Sequence, residues 1–300
     1  MWLCRLYARW MRFWFGKPVP YELGRLLILL FPHPRWCMVP HGGHRLALDL
    51  TDMLQANILL DGVWEPEFSR WWAYLSSRAA VIFDVGAHCG YFSLLALDHA
   101  PGGAHVYAFE PNPRMQNQLR KNIELNGLTN LRVIPKAASE ATGALTLHVR
   151  RAFEPGASSR HAIPHADSEV CVEAVALDEF CEAHGIAAVD ALKMDIEGGE
   201  AAAIAGMREG LRVGRYRVLA IETHFSHLGL EAVRGMLGTL AASGYAIFEL
   251  QGHVAVPVPG VARRLRADNR MLLAVSRAHL PTLEPDARGN LLLPARFRAL

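Results

Sequence analysis

The sequence predicts an α/β fold: a mostly parallel sheet with helices on both faces. Three observations predict it. From Val81 onward, short apolar runs alternate with helix-like segments. A glycine turn, GAHCG at 86–90, joins the first run to the first helix. The second run ends in an acid, Glu110, backed by Pro111. Alternation of this kind builds parallel strands, because a parallel neighbour needs a crossover, usually helical.

The elements follow in order. Residues 46–78, with Trp64, Trp71 and Trp72 set among acids, read as helices ahead of the sheet. VIFDV (81–85) reads as a buried strand and YFSLLALDH as the helix it feeds. HVYAFE (105–110), LRVIPKAA (131–138), VDALKMD (189–195) and YRVLAIET (216–223) repeat the strand pattern. RMQNQLRKNIELNG, LDEFCEAHG and EAAAIAGMREGL supply the helices between most of them. ALTLHV (144–149) and VCVEAVA (170–176) read as two inserted antiparallel strands around a polar loop that can act as a lid. A last helical stretch, HLGLEAVRGMLGTLAASG, precedes closing strands YAIFEL, HVAVPV and MLLAVS. The expected organisation is an aromatic-rich helical extension (1–78), the main domain (79–278) and a tail (279–300).

Composition narrows the function. The charges nearly balance, 31 basic against 29 acidic, so no nucleic-acid partner is expected. The five cysteines are scattered without a C-x-x-C, which fits buried thiols, not a zinc knuckle or disulfide framework. The opening MWLCRLYARWMRFWFG sets Arg5, Arg9 and Arg12 on one helical stripe against aromatic residues. It is too short to span a membrane and has no signal-peptide cleavage site. Peripheral membrane contact and packing on a subunit are both open for it. The protein is expected to be cytoplasmic, with the leader at most at the membrane surface.

The glycine turn points its free N–H groups above the carboxyl ends of the strands, where open α/β sheets bind ligands. Glu110, on the next strand, suits a ribose diol. Dinucleotides and S-adenosylmethionine (SAM) both carry a ribose. A dinucleotide turn needs a third glycine near its pyrophosphate, and here His88 fills the middle of the turn. A methionine tail needs a carboxylate near its ammonium, and Asp84 precedes the turn. The balance favours SAM. A nicotinamide-dependent oxidoreductase and a non-catalytic scaffold are the competing readings.

The chain also resembles the FkbM family of SAM-dependent methyltransferases. DGVWEPE (61–67), DVGAHCGYFS (84–93), AFEPNP (108–113), KNIELNG (121–127) and KAAS (136–139) carry the resemblance, with Leu177–Asp178, LKMDIEGGE (192–200) and AIETH (220–224). The family's turn is similar to D-x-G-A-N-x-G, and His88 stands at the Asn place. The resemblance implies a class I methyltransferase (Rossmann-like) fold, with a mostly parallel seven-stranded sheet. It also implies methyl transfer to a hydroxyl of a small molecule, polyketide, sugar or glycan. Asp84, Gly86 and Gly90 are then expected at the methionine end, with His88 in the turn. Glu110 is expected at the ribose, Pro111 and Asn112 at the adenosine wall, and Ala137 and Ala138 at the adenine.

The chemistry is expected further along the same edge. Asp195 closes the fourth parallel strand, Glu222 ends the fifth and His224 follows it. A hydroxyl needs help to lose its proton, so Asp195 is the first candidate base and His224 the second. Glu197 and Glu200 stand at a helix start, where Glu200 suits the bland role of satisfying orphan N–H groups. A divalent ion such as Mg2+, held by Asp195 and Glu222, is a further option. His161 and His165 in the inserted loop are candidates to touch the acceptor.

Overall fold

The computed structural model describes residues 35–149, 158–161, 168–258 and 270–298. The arginine-striped leader and His165 lie outside these residues. The described chain opens with a hairpin, β1 (Trp36–His41) and β2 (His44–Asp49). Part of the segment read as helical is therefore strand. The hairpin's edge is closed by side chains, not by another strand. Asn122 accepts from the Ala47 N–H at 2.8 Å, and Asn126 accepts from the Arg45 N–H at 2.8 Å. A helix thus satisfies backbone groups that an open strand edge would leave to water.

Helices α1 (Met53–Asp61) and α2 (Pro66–Ser76) follow, as expected for this stretch. Asp52 caps α1 through the Leu54 N–H. Trp71 and Trp72 on α2 are fully buried, and their indole N–H groups donate to Gly252 and Phe92 carbonyls. Buried tryptophans of this kind need such acceptors.

The domain then alternates β3 (Val81–Val85), α3 (Tyr91–His99), β4 (His105–Phe109), α4 (Pro113–Asn126) and β5 (Leu131–Ile134). An insertion follows: β6 (Ala137–Ala138), β7 (Gly143–Val149), β8 (Ser158–Ser159) and β9 (Ser168–Val175). These form a separate sheet in the order β6-β9-β7-β8, with β7 and β9 antiparallel as expected. Ala137 and Ala138 thus belong to this small sheet, not to the end of the third parallel strand. The chain returns through α5 (Leu177–Ala183), β10 (Val189–Met194), α6 (Glu200–Ala205), α7 (Arg208–Arg212), β11 (Tyr216–Thr223) and α8 (Phe225–Ala242). It closes with β12 (Tyr245–Gln251), β13 (Val254–Pro257), β14 (Arg270–Ser276) and β15 (Leu291–Leu292).

The main sheet has the order β15-β13-β12-β14-β11-β10-β3-β4-β5. β5, β4, β3, β10 and β11 are parallel neighbours, and β14 runs antiparallel between β11 and β12. Those seven strands form the mostly parallel sheet that the sequence predicts, and β13 and β15 extend its far edge. Ile82, Val106 and Ala191 pack into one core with Trp71 and Trp72. Phe83, Phe109 and Leu192 pack into the other with α5–α8 residues such as Phe180 and Leu237. Burial on both faces explains why these strands read as continuous apolar runs.

Candidate active site

The strand order reverses at β3, where β4 lies on one side and β10 on the other. A crevice opens at that place in open α/β sheets. Here it is a cavity of about 430 Å³, roofed by the inserted sheet. The size suits a small-molecule cofactor.

Its floor is the turn after β3. The N–H groups of Gly86 and Ala87 donate to the Phe109 carbonyl at 3.0 and 3.1 Å. Gly86 has φ of 83°, and a Cβ there would lie 1.9 Å from the Asp195 carbonyl oxygen. Only glycine allows the β3 and β10 turns to approach this closely. His88 takes φ of 52°, which turns its N–H onto Glu110 Oε2 at 2.8 Å. The other carboxylate oxygen of Glu110 accepts the Asn112 N–H at 2.8 Å. Glu110 is buried and fixed at the wall, and each oxygen keeps a lone pair for a diol.

Of the residues expected at the cofactor, Gly86, His88, Glu110, Pro111, Ala137 and Ala138 line the cavity. Three others do not line it. Asp84 is fully buried under the turn, where Ser93 donates to it at 2.6 Å and Lys193 Nζ lies 3.5 Å away. Gly90 is a packing glycine: a Cβ would meet Leu119 Cδ1 at 2.5 Å. Asn112 caps α4 through the Arg114 N–H and donates to Ser158 Oγ at 3.0 Å, tying the insertion to the site.

Asp52, Ser158, Ser159 and Arg160 were not singled out from the sequence, and Lys193 was read only as sharing a strand face with Asp195. Asp52 lines the cavity and pairs with His88 Nε2 at 3.1 Å. Burial lowers the pKa of His88, but Asp52 outweighs it and holds the imidazole well above its usual value. Lys193 is buried, with Nζ 3.1 Å from the Gly86 carbonyl and 3.4 Å from Asp195 Oδ2. Its signal was visible, a cation inside an apolar strand. Ser158, Ser159 and Arg160 line the cavity from the insertion. Ser159 also donates to the Glu197 carbonyl, and His161 Nε2 lies 3.0 Å from the Gly198 carbonyl.

The ends of β10 and β11 bring Asp195, Glu197, Glu222 and His224 together. Asp195 and Glu197 face the cavity. His224 is buried behind them, with Nε2 3.6 Å from Asp195, 3.6 Å from Glu197 and 3.7 Å from Glu222. Its Nδ1 lies 2.8 Å from Glu200 Oε1. Glu200 also accepts the Ile196 and Gly198 N–H groups, so it satisfies the turn before α6. Burial would raise the Asp195 carboxyl, but Lys193 and then His224 hold it below its ordinary value. Glu222 is pushed up to about 8 by burial, then by Asp195 and Glu65. Glu65, at the start of α2, is raised to about 7 by burial and by Asp195. Glu65 and Glu197 both hold left-handed backbone, with φ of 44° and 51°. Strain at non-glycine residues gathers at functional sites.

Residues 84–247 match the family described as Methyltransferase FkbM domain. The 2-O-methyltransferase NoeI of Sinorhizobium fredii is 28% identical over 150 residues, which are 45% of this chain and 60% of that protein. The 31-O-demethyl-FK506 methyltransferase FkbM of Streptomyces tacrolimicus is 30% identical over 191 residues, 54% of this chain and 69% of that one. Among solved structures, an O-methyltransferase from Bacillus cereus in complex with SAH has a TM-score of 0.43 at 13% identity, covering 71% of this chain and 80% of that one. TYW2 of M. jannaschii in complex with AdoMet has the same TM-score and identity, covering 82% and 87%. Likeness of that degree supports no inference about substrate. The family match spans more than half of the chain, from Asp84 in β3 to Ile247 in β12, and the chain belongs to the FkbM family of SAM-dependent methyltransferases.

Proposed function

We propose that the protein transfers the methyl group of SAM to a hydroxyl oxygen of a small molecule or glycan. The observation that carries this reading is the wall of ionisable groups at the cavity, Asp195 and Glu197 in front with His224 and Glu222 behind. The sulfonium is already a good leaving group, so the protein has two tasks. It must align the nucleophile in line with the methyl carbon and draw off the hydroxyl proton. Asp195 is the group assigned to meet that proton. The names of the relatives agree, since NoeI and FkbM are both named for transfer to oxygen.

In this reading the ribose hydroxyls bind Glu110, and the adenine lies between Pro111 and the Ala137–Ala138 strand. The methionine end crosses Gly86 toward Asp195. Asp84 supports that end from below through Lys193. The sequence also raised a Mg2+ ion held by Asp195 and Glu222. The nitrogen of His224 beside both carboxylates makes the donor set less suited to magnesium, which prefers oxygen.

A screen of hydroxylated metabolites and sugars with SAM, read by the mass gain of one methyl, tests the proposal. Products carrying the methyl on oxygen support it. Transfer only to nitrogen, carbon or sulfur overturns it.

A further inference from the structure

We propose that Asp195, Glu197 and His224 form a binding site for a divalent first-row transition-metal ion at the acceptor end of the cavity. Their ligand atoms all lie within 4.8 Å of one another.

The imidazole carries the argument. His224 is 5% exposed at its side chain, and its Nδ1 lies 2.8 Å from the fully buried Glu200 carboxylate. A carboxylate accepts, so Nδ1 donates, and Nε2 is left facing the cavity carboxylates, where a metal ion would take the place of a proton. Metal-bound histidines are held in this way by a carboxylate on the far nitrogen. Nε2 forms no hydrogen bond among the described residues. It faces three carboxylate oxygens instead, at 3.6, 3.6 and 3.7 Å. Those gaps are too long for hydrogen bonds. They are close to the separation of two ligands on one ion: with metal–ligand distances of about 2.0–2.2 Å, tetrahedral neighbours lie roughly 3.3–3.6 Å apart.

Charge points the same way. Asp195, Glu197, Glu200, Glu222 and Glu65 gather here, and Lys193 is the nearby permanent cation. Lys193 sits on Asp195 Oδ2, which leaves Oδ1 turned toward His224. Like carboxylates this close favour a cation between them. One nitrogen with two carboxylates suits Mn2+, Fe2+ or Zn2+ better than Mg2+. An ion here would polarise an acceptor oxygen. That role rests on the O-methyl reading, but binding itself does not.

The test uses the full chain, stripped with a chelator, and reads binding without cofactor or acceptor. Mn2+ is titrated and its free electron-spin-resonance signal followed, with Zn2+ and Mg2+ as competitors. The expected result is one Mn2+ per chain, displaced by Zn2+ far more readily than by Mg2+. Glu197→Gln and His224→Gln should each weaken binding at least tenfold. S-adenosylhomocysteine binding should persist in Glu197→Gln, which shows that the variant is folded. The proposal is overturned if the parent chain binds S-adenosylhomocysteine but no stoichiometric Mn2+ or Zn2+, because a proton alone then occupies Nε2. It is equally overturned if both variants bind Mn2+ as the parent does. A protein that binds the ion yet methylates no oxygen would refute the O-methyl reading and leave the site standing.

Discussion

Replacing Lys193 by Met keeps an unbranched side chain of similar length and removes one buried charge. The ammonium lies 3.5 Å from Asp84 Oδ1, 3.4 Å from Asp195 Oδ2 and 3.1 Å from the Gly86 carbonyl. Asp195 keeps some contact with solvent, its side chain being 24% exposed, whereas Asp84 has none. The loss therefore falls mainly on Asp84, left as an uncompensated charge with Ser93 as its hydrogen-bond donor. Breaking a buried pair in this manner costs about 3–5 kcal/mol. The expected result is a drop of that size in urea-unfolding stability at neutral pH. Adding Asp84→Asn removes the stranded charge, so the double variant should regain a good part of the loss. Refutation is simple: a Lys193→Met protein within about 1 kcal/mol of the parent, or a double variant showing plain additivity, would mean the pair does not hold the turn.

Four further outcomes are expected. Glu110→Ala should weaken S-adenosylhomocysteine binding by about tenfold or more in calorimetry, since it removes charge-assisted bonds to the ribose. Asn122→Ala should cost about 2–4 kcal/mol in chemical denaturation, because the half-buried Ala47 N–H and the buried Cys89 carbonyl lose their partner. Once an acceptor is found, Asp195→Asn should lower kcat by about 10²–10⁴-fold, with cofactor affinity little changed. His88 has a folded pKa raised above 6.5 by Asp52, so stability from that pair is fully present below about pH 6.5 and is lost as pH rises through the folded value. Unfolding measured across that range should show this decline in the parent and a flatter profile in Asp52→Asn.

Much of the fold was legible in the sequence. VIFDV and YRVLAIET read as strands with the bounds that the structure shows, because apolar runs between turn residues have few other uses. The hairpin at 36–49 was not legible. Its edge is closed by Asn122 and Asn126, some eighty residues away, and no local pattern announces such a partner. The site divides along the same line. Gly86 and Glu110 were readable because a tight turn and a strand-end acid have local causes. That Asp84 lies beneath the turn was not readable, because nearness in sequence says nothing about depth, and Lys193 packs beside it there. Asp52 and Glu65 reach the site from the segment before the sheet, through packing that sequence spacing does not encode.

A crystal structure with S-adenosylhomocysteine bound tests the central claim most directly. The account predicts both ribose hydroxyls within about 3 Å of the Glu110 carboxylate. It predicts the adenine beside Ala137 and Ala138, and the sulfur crossing Gly86 with its open side toward Asp195. A cofactor whose ribose lies away from Glu110, or whose sulfur faces away from Asp195, would contradict it.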